Sequence, residues 1–207
     1  MTAHPDPNTA AGGGAGGAAG PRPPRERADA ARNRAAILDA AAGLFAEYGV
    51  DGVSMDQVAA AAGVGKGTVF RRFGDRAGLA AALLAEREHD LRDAVLHGPP
   101  PLGPGAAAGD RLAAFVDACF DHLLRHLALA RLHETATTGS RHRADAYRFW
   151  HRHLMTLLDA SADPETCAHA LLANLSAVHI SALLPELGED RMRDGLTHLA
   201  RSALRPL

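Results

Sequence analysis

The sequence has little cysteine, a single lysine and few aromatic residues. Cys119 and Cys167 are the only cysteines in 207 residues, too few for the disulfide framework of a small secreted domain. The first twenty residues contain no lysine or arginine, and alanine and glycine stand where an export signal has a leucine-rich segment. We therefore expect a cytoplasmic protein that is not secreted.

The sequence also lacks an excess of charge of either sign. Because the formal net charge is −2, a nucleic acid would have to be bound by a local basic patch. A stretch without charged side chains lies between Glu165 and Glu186, but His169, Asn174 and Ser176 interrupt it. Unpartnered polar groups are costly in hydrocarbon, so this stretch predicts a helix buried within protein and no membrane partner.

Apolar residues at helical spacing are what the sequence has in abundance. One such stripe, ended by Gly49, consists of Ile37, Leu38, Ala41, Leu44, Phe45 and Tyr48. Ser54 and Gln57 have the spacing of a capping box at the start of a second helix. Because alternating strand patterns are missing, these signals predict an all-α protein. After the first helix we predict helices at 54–62, 66–73, 75–97, 110–126, 128–135, 141–160, 164–184 and 190–204.

Two segments have a composition that opposes helix formation or packing. The run Ala10–Gly20 contains only alanine and glycine, so residues 1–21 are predicted to be a disordered tail. Residues 98–109 contain four prolines and four glycines, and are predicted to be a linker. This linker divides the chain into an N-terminal domain at 22–97 and a C-terminal domain at 110–207.

The segment from Ser54 to Arg76 has the layout of a helix-turn-helix. Two short helices flank a glycine-containing turn at residues 63–65, and the second helix begins at Lys66. Four cations, Lys66, Arg71, Arg72 and Arg76, face the single anion Asp75 within eleven residues. The second helix of such a unit enters the major groove, so this pattern predicts binding to double-stranded DNA. The alternative is that these cations form only a solvated helix face.

Residues 58–79, VAAAAGVGKGTVFRRFGDRAGL, resemble the DNA-binding signature of TetR-type (TetR/AcrR) transcriptional regulators, and the resemblance extends over about residues 30–84. It implies an N-terminal three-helix DNA-binding domain joined by a long fourth helix to a C-terminal helical domain. Phe70 stands where tyrosine is commoner, and Gly65 stands where serine is usual. The resemblance and the local positive charge together predict a set of DNA-binding residues. They are Lys66, Gly67, Thr68, Phe70, Arg71, Arg72 and Arg76, with Arg32, Arg34 and Ser54.

The same resemblance implies a ligand-responsive repressor that binds a palindromic operator as a homodimer. The dimer would form through the last two helices, at about 164–184 and 190–204, and an unidentified small-molecule effector would bind in the C-terminal domain. The expected pocket residues are Phe115, Cys119, His122, Tyr147, Trp150, His151 and Leu154. Aromatic and imidazole groups of this kind would suit a modest-sized, partly apolar organic ligand.

Other function classes have weaker support in the sequence. A phosphate-binding loop would need glycine at Ala60 and serine or threonine at Gly67, and we recognise no catalytic motif, so neither an enzyme nor a cofactor is expected. Nine of the twelve histidines follow residue 120, and Cys119, His122 and His126 share one helix side. We predict no metal site, but a His-rich metal- or small-molecule-binding helical protein without DNA-reading activity is the alternative function.

Overall fold

The computed structural model describes residues 24–137 and 145–204, and each element in these ranges is an α-helix. The all-α prediction is therefore confirmed. The predicted tail at 1–21 and the predicted beginning of a helix at residue 141 lie outside the described residues. The helices are α1 Pro24–Tyr48, α2 Met55–Ala61, α3 Lys66–Phe73, α4 Arg76–His97, α5 Ala108–Arg125, α6 Leu127–Ala136, α7 Asp145–Leu157, α8 Pro164–Asn174, α9 Ala177–Leu187 and α10 Glu189–Ser202.

A first hydrophobic core forms among α1, α2, α3 and the beginning of α4. The α1 stripe supplies Ile37, Leu38, Ala41 and Phe45, which are all buried. Tyr48 was predicted to belong to this stripe, and here the prediction is wrong, because its side chain is 55% exposed at the last position of α1. Gly49 follows with a positive φ of 73°, a backbone conformation that favours glycine, and ends the helix as predicted.

A second, larger core forms among the end of α4 and helices α5 to α10. Its fully buried large side chains include Phe115, Phe120 and Leu154. Helix α4 takes part in both cores, since Leu79 lies in the first and Val95 in the second. Helix α6 packs along α4, and its Leu129 contacts the first core. The two cores are therefore joined by two packed helices, α4 and α6, rather than by a flexible tether.

The predicted single helix at 164–184 is wrong, because the chain breaks between α8 and α9 with a bend of 62°. The break is stabilised by caps. The Ser176 hydroxyl accepts a hydrogen bond from the His179 amide at 3.4 Å, and the Glu134 carboxylate of α6 accepts from the amides of Ala177 at 3.1 Å and Val178 at 3.2 Å. These bonds satisfy helix-end donors that would otherwise be unpaired. Within the described residues, no single helix is long and apolar enough to cross a membrane, and only this bent pair together has the length and composition.

Helix α10 is held against α5 by a cluster of charges around Arg193. One guanidinium group donates to Asp117, to Asp121 at 2.6 Å and to Glu189 at 2.8 Å, and it lies 5.1 Å from the centre of the Phe120 ring. The three carboxylates raise the pKa of Arg193 above its already high usual value. The cation is therefore permanent, and it fixes α10 where its own Met192, Leu196 and Ala200 are buried.

Candidate DNA-binding surface and effector cavity

Helices α2 and α3 are oriented by local sequence signals that the structure confirms. The Ser54 hydroxyl accepts from the Gln57 amide at 3.2 Å, and the Gln57 side-chain oxygen accepts from the Ser54 amide at 2.8 Å, which completes the capping box. Gly63 turns the chain with a φ of 65°, and Gly65 caps α3 in an extended conformation without a side-chain bond. The turn therefore places α3 across α2, as a helix-turn-helix requires.

Helix α3 turns one side inward and leaves its charged side in solvent. Val69 is fully buried in the first core and Phe73 is half-buried against it. Outside this buried side, Lys66, Gly67, Phe70, Arg71 and Arg72 are exposed, while Thr68 is half-buried. Phe70 is 41% exposed, so its ring is accessible beside the cations of this helix. The structure thus leaves the predicted recognition-helix residues accessible around the exposed sides of α3.

The cations of this surface differ in how they are engaged within the chain. Lys66 forms an exposed ion pair with Asp56 at 2.8 Å, and its Nζ lies 5.6 Å from the centre of the Phe70 ring. Arg72 donates from Nη1 to the Ala30 carbonyl of α1 at 2.6 Å. Arg71 is exposed and has no hydrogen-bond or ion-pair partner among the described residues. Of these three cationic side chains, Arg71 is therefore the most available to an external phosphate.

Arg76 has a structural contact that its sequence position did not reveal. Its Nη1 donates to the carbonyls of Val50 at 3.0 Å and Asp51 at 2.9 Å, in the loop that joins α1 to α2. This contact holds the beginning of α4 against the loop ahead of the helix-turn-helix. Because only Nη1 is used, the remaining donors of the guanidinium are oriented but uncommitted. The DNA contact predicted for Arg76 stays a prediction.

The two arginines predicted on α1 also make ion pairs within the chain. Arg32 pairs with Asp29 one turn earlier on the same exposed helix face. Arg34 pairs with Glu86 of α4, and so ties α1 to the middle of the long helix. Exposed pairs of this kind contribute little to stability, so both side chains can exchange partners at small cost. Their predicted DNA contacts are compatible with these pairs but stay predictions.

A cavity of about 210 Å³ lies among α4, α5, α6, α7 and α8. Four predicted pocket residues, Cys119, His122, Tyr147 and Trp150, line it. The structure places the other three elsewhere. Phe115 and Leu154 are fully buried in the core, and His151 lies beside His169, outside the cavity wall. The wall is mostly apolar, and the lining residues that sequence reasoning missed include Glu88, Leu91, His133, Glu134, Leu172 and Leu175.

Glu88 is the charged group that distinguishes this cavity. It is buried at 8% exposure, accepts a hydrogen bond from the Trp150 indole and pairs with Arg92 at 3.2 Å. Burial raises the pKa of the Glu88 carboxyl, while Arg92 opposes that rise. The i,i+4 spacing of Glu88 and Arg92 is visible in the sequence, but nothing local shows that Trp150, 62 positions away, completes the cluster. The cavity therefore offers one buried carboxylate among apolar walls.

Burial keeps the His122 imidazole and the Cys119 thiol of the cavity wall uncharged. Burial, helped by the nearby His126 and Arg125, lowers the pKa of His122 to about 4. Burial raises the pKa of the Cys119 thiol, so this cysteine is a poor source of thiolate. The His122 and His126 rings lie 4.9 Å apart in an edge-to-face arrangement. Among the described residues, one group of three side chains has the spacing of metal ligands, and it includes neither of these histidines.

Part of the chain matches known proteins in sequence. The family model described as "Bacterial regulatory proteins, tetR family" matches residues 37–83, which span α1 to α4. The HTH-type transcriptional regulator SrpR of Pseudomonas putida is 39% identical over 64 residues, which cover 31% of this chain and 30% of SrpR. The chain covers 30–48% of the length of the first three curated relatives it matches.

Solved structures extend the likeness to most of the chain at the level of fold. A TetR-family regulator from Rhodococcus sp. has a TM-score of 0.59 and 20% identity, with 84% of this chain and all of that chain covered. AibR, crystallised with isovaleryl coenzyme A and operator DNA, has a TM-score of 0.54 and 22% identity, with 81% of this chain and 97% of AibR covered. The chain therefore matches the tetR family in sequence at residues 37–83, and over most of its length it shares the all-helical fold of TetR-family structures.

Proposed function

We propose that this protein is a DNA-binding transcriptional regulator that acts as a ligand-responsive repressor on a palindromic operator. The observation that carries this proposal is the exposed surface of α3, where Lys66 and Arg71 lie near an exposed Phe70 and Arg72 is exposed on the side that faces α1. In a chain whose net charge is −2, such a local group of cations supports attraction of a polyanion at this surface.

In the proposed complex, two copies of α3 enter successive major grooves of one duplex. The operator half-sites of such dimers lie about 34 Å apart, one helical turn, so the distance between the two α3 helices decides affinity. Lys66, Gly67 and Thr68 lie at the N-terminal end of α3, which faces the bases in this geometry. Arg71, Arg72 and Arg76 would bind phosphates on either side of the groove.

The dimer is proposed to form through α8, α9 and α10. Val178 on α9 and Leu199 on α10 are large apolar side chains that remain 42% and 41% exposed in the single chain. Leu199 follows the buried Met192 and Leu196 at helical spacing along α10, and a partner copy would cover it. The Arg193 cluster holds α10 in a fixed orientation, which a symmetric interface between rigid helices requires.

The effector is proposed to bind in the cavity beside α4. A volume of about 210 Å³ is small compared with the roughly 300–1,000 Å³ of drug-sized ligand pockets, so a small, largely apolar molecule fits best. Glu88, which lines the cavity from α4, would favour a ligand that donates a hydrogen bond or carries positive charge. Because α4 also enters the first core, a ligand that shifts α4 would change the spacing of the two α3 helices and weaken operator binding.

Salt dependence of DNA affinity tests the proposed surface. An operator selected from random duplexes would be titrated with wild-type protein, Arg71→Ala and Arg72→Ala at several salt concentrations. Each lost phosphate contact should flatten the log–log slope by about 0.9. Arg152→Ala, which removes an exposed cation from α7, is the matched control and should leave the slope unchanged. Unchanged slopes in both α3 variants, or failure to select any duplex, would refute the proposed function.

Trp150 offers a direct probe for the effector, because it is the only tryptophan and it lines the cavity. A small-molecule collection screened by Trp150 fluorescence should identify ligands, which are then tested for release of the operator. Ala130→Leu narrows the cavity from α6 and should weaken binding of any ligand found. A ligand that releases DNA but binds Ala130→Leu with unchanged affinity would place the effector site elsewhere.

A further inference from the structure

Three potential metal ligands meet on the surface where α7 packs against α8. His151 of α7, and Glu165 and His169 of α8, each offer one ligand atom, and these atoms all lie within 4.8 Å of one another. The distance between His169 Nε2 and Glu165 Oε1 is 3.8 Å. His151 is half-buried, whereas Glu165 and His169 are exposed. The group is therefore accessible from solvent and open on one side.

Tyr147 holds both imidazole rings in position. Its ring stacks at 6.3 Å from His151 and at 5.9 Å from His169, and the two imidazoles lie 4.3 Å apart. The Tyr147 hydroxyl lies 2.6 Å from Nδ1 of His169, while Nε2 of the same ring points toward Glu165. In metal sites the non-ligating nitrogen of a histidine usually donates a hydrogen bond, and the Tyr147 oxygen can accept such a bond from Nδ1–H when Nε2 binds the metal.

His151 supplies an independent observation. Its Nε2 is shielded from solvent and has no hydrogen-bond partner among the described residues. A polar atom that loses water without gaining a partner costs free energy, so a cation bound by this imidazole would remove part of that cost. The two residue pairs, Tyr147 with His151 and Glu165 with His169, each have i,i+4 spacing and so lie on one side of their own helix.

We propose that His151, Glu165 and His169 bind one divalent transition-metal ion per chain, with zinc as the reference ion. Imidazole nitrogens and a carboxylate oxygen are ligands that zinc accepts, and water would complete the coordination. Zinc holds such atoms at about 2.0–2.2 Å, so neighbouring ligand atoms of a tetrahedral site stand about 3.4 Å apart. The 3.8 Å between His169 and Glu165 is close to this value, and small side-chain rotations at exposed positions would close the rest.

The site would link α7 and α8, which also contribute residues to the cavity wall. Tyr147 lines the cavity wall and contacts both histidines, so an ion that fixes the histidines would also fix the Tyr147 ring. The proposal differs from the sequence-based prediction of no metal, and from the Cys119, His122 and His126 alternative, because its ligands come from α7 and α8 rather than from α5. It does not depend on DNA binding and can be tested without DNA.

Zinc binding to tag-free, chelator-treated full-length protein tests the site. Calorimetric titration with zinc chloride should give one ion per chain, and His151→Ala and His169→Ala should each weaken binding by at least about tenfold. Glu165→Gln, an exposed substitution with little effect on folding, should weaken it as well. Cobalt(II) bound in place of zinc should show visible absorption bands of a low-coordinate site, and His169→Ala should abolish them.

The matched control is the double variant His122→Ala/His126→Ala, which removes the other neighbouring imidazole pair and should bind zinc like wild type. Tyr147→Phe should weaken binding by about tenfold while leaving the stoichiometry at one, because it removes only the bond to His169 Nδ1. The proposal is overturned if wild type does not bind zinc, if the α7 and α8 variants bind it unchanged, or if the control variant loses it.

Discussion

Arg71 and Arg76, both proposed to contact DNA, differ in whether the side chain also serves the fold. Arg71 projects from α3 without a partner in the described chain, so its removal affects only what approaches from outside. Arg76 instead satisfies two loop carbonyls with one nitrogen. A guanidinium has five donors in a fixed fork, so a residue anchored in this way can still present its other donors to a phosphate.

The first residue-scale prediction separates these two roles. Arg76→Ala should lower the free energy of unfolding by about 1–3 kcal/mol, because charge-assisted hydrogen bonds to Val50 and Asp51 are lost. Arg71→Ala should leave stability within about 0.5 kcal/mol of wild type, as expected for an exposed side chain. Urea unfolding followed by circular dichroism measures both. Equal stabilities of the two variants would show that the Arg76 contacts contribute nothing to the fold.

The second residue-scale prediction concerns pH. Because burial lowers the pKa of His122 to about 4, the folded chain keeps this imidazole neutral at pH values where the unfolded chain, with a pKa near 6.5, takes up a proton. Stability should therefore fall as pH decreases from about 6.5 to about 4. In His122→Gln the loss of melting temperature between pH 7 and pH 5 should be smaller by roughly 2–4 °C, corresponding to about 1 kcal/mol after allowance for partial exposure.

His179→Gln is the control for the pH experiment, since His179 is exposed on α9. Its thermal unfolding should show the same pH dependence as wild type. If His122→Gln loses as much stability at pH 5 as wild type does, the uptake of a proton by His122 is not linked to unfolding.

The boundary between α8 and α9 depends on a contact from another helix, so the sequence of residues 164–184 alone does not predict it. Residues 164–184 are apolar enough to continue as one helix, and Asn174 and Ser176 indicate only that the stretch does not lie in hydrocarbon. The break depends on Glu134, which lies 42 residues before Ser176 and caps α9 from α6. Local spacing predicted α2 and α3 because their caps, Ser54 and Gly65, lie within the segment itself.

The element-scale prediction follows from this cap. Glu134→Ala removes the acceptor of the Ala177 and Val178 amides and should lower the free energy of unfolding by about 2 kcal/mol. Glu186→Ala removes an exposed carboxylate from the end of α9 and is the control, with a change below about 0.5 kcal/mol. Hydrogen exchange should show faster exchange in the first turn of α9 in Glu134→Ala only. Unchanged exchange there would mean that Ser176 alone is enough to begin the helix.

On the scale of the whole molecule, features whose contacting residues are close in sequence could be predicted, and features whose contacting residues are far apart in sequence could not. The helix-turn-helix, its capping box and its exposed cations follow from signals within about twenty residues. The cavity wall and the zinc ligands are assembled from several helices, so a helical spacing that identifies Trp150 as apolar cannot show that Glu88 lies beside it. This is why Phe115 and Leu154 were expected at the cavity but belong to the core.

Helix α4 decides whether the two cores behave as one cooperative unit, which the proposed effector mechanism requires. Leu79 and Leu83 anchor it in the first core and Val95 in the second, and α6 packs along it. Trp150 fluorescence reports only the second core, whereas circular dichroism reports all helices. Because a continuous helix transmits the loss of one core to the other, the two signals should give the same urea midpoint in wild type.

Asp90→Gly tests this coupling, because it places the most flexible residue at an exposed position in the middle of α4. The substitution should cost about 1 kcal/mol relative to Asp90→Ala, the matched control, which keeps the helix intact. In Asp90→Gly the Trp150 midpoint should separate from the circular dichroism midpoint, whereas in Asp90→Ala the two should still coincide. Separate midpoints already in wild type would show that α4 does not couple the cores, and a ligand bound beside Glu88 would then lack a rigid route to α3.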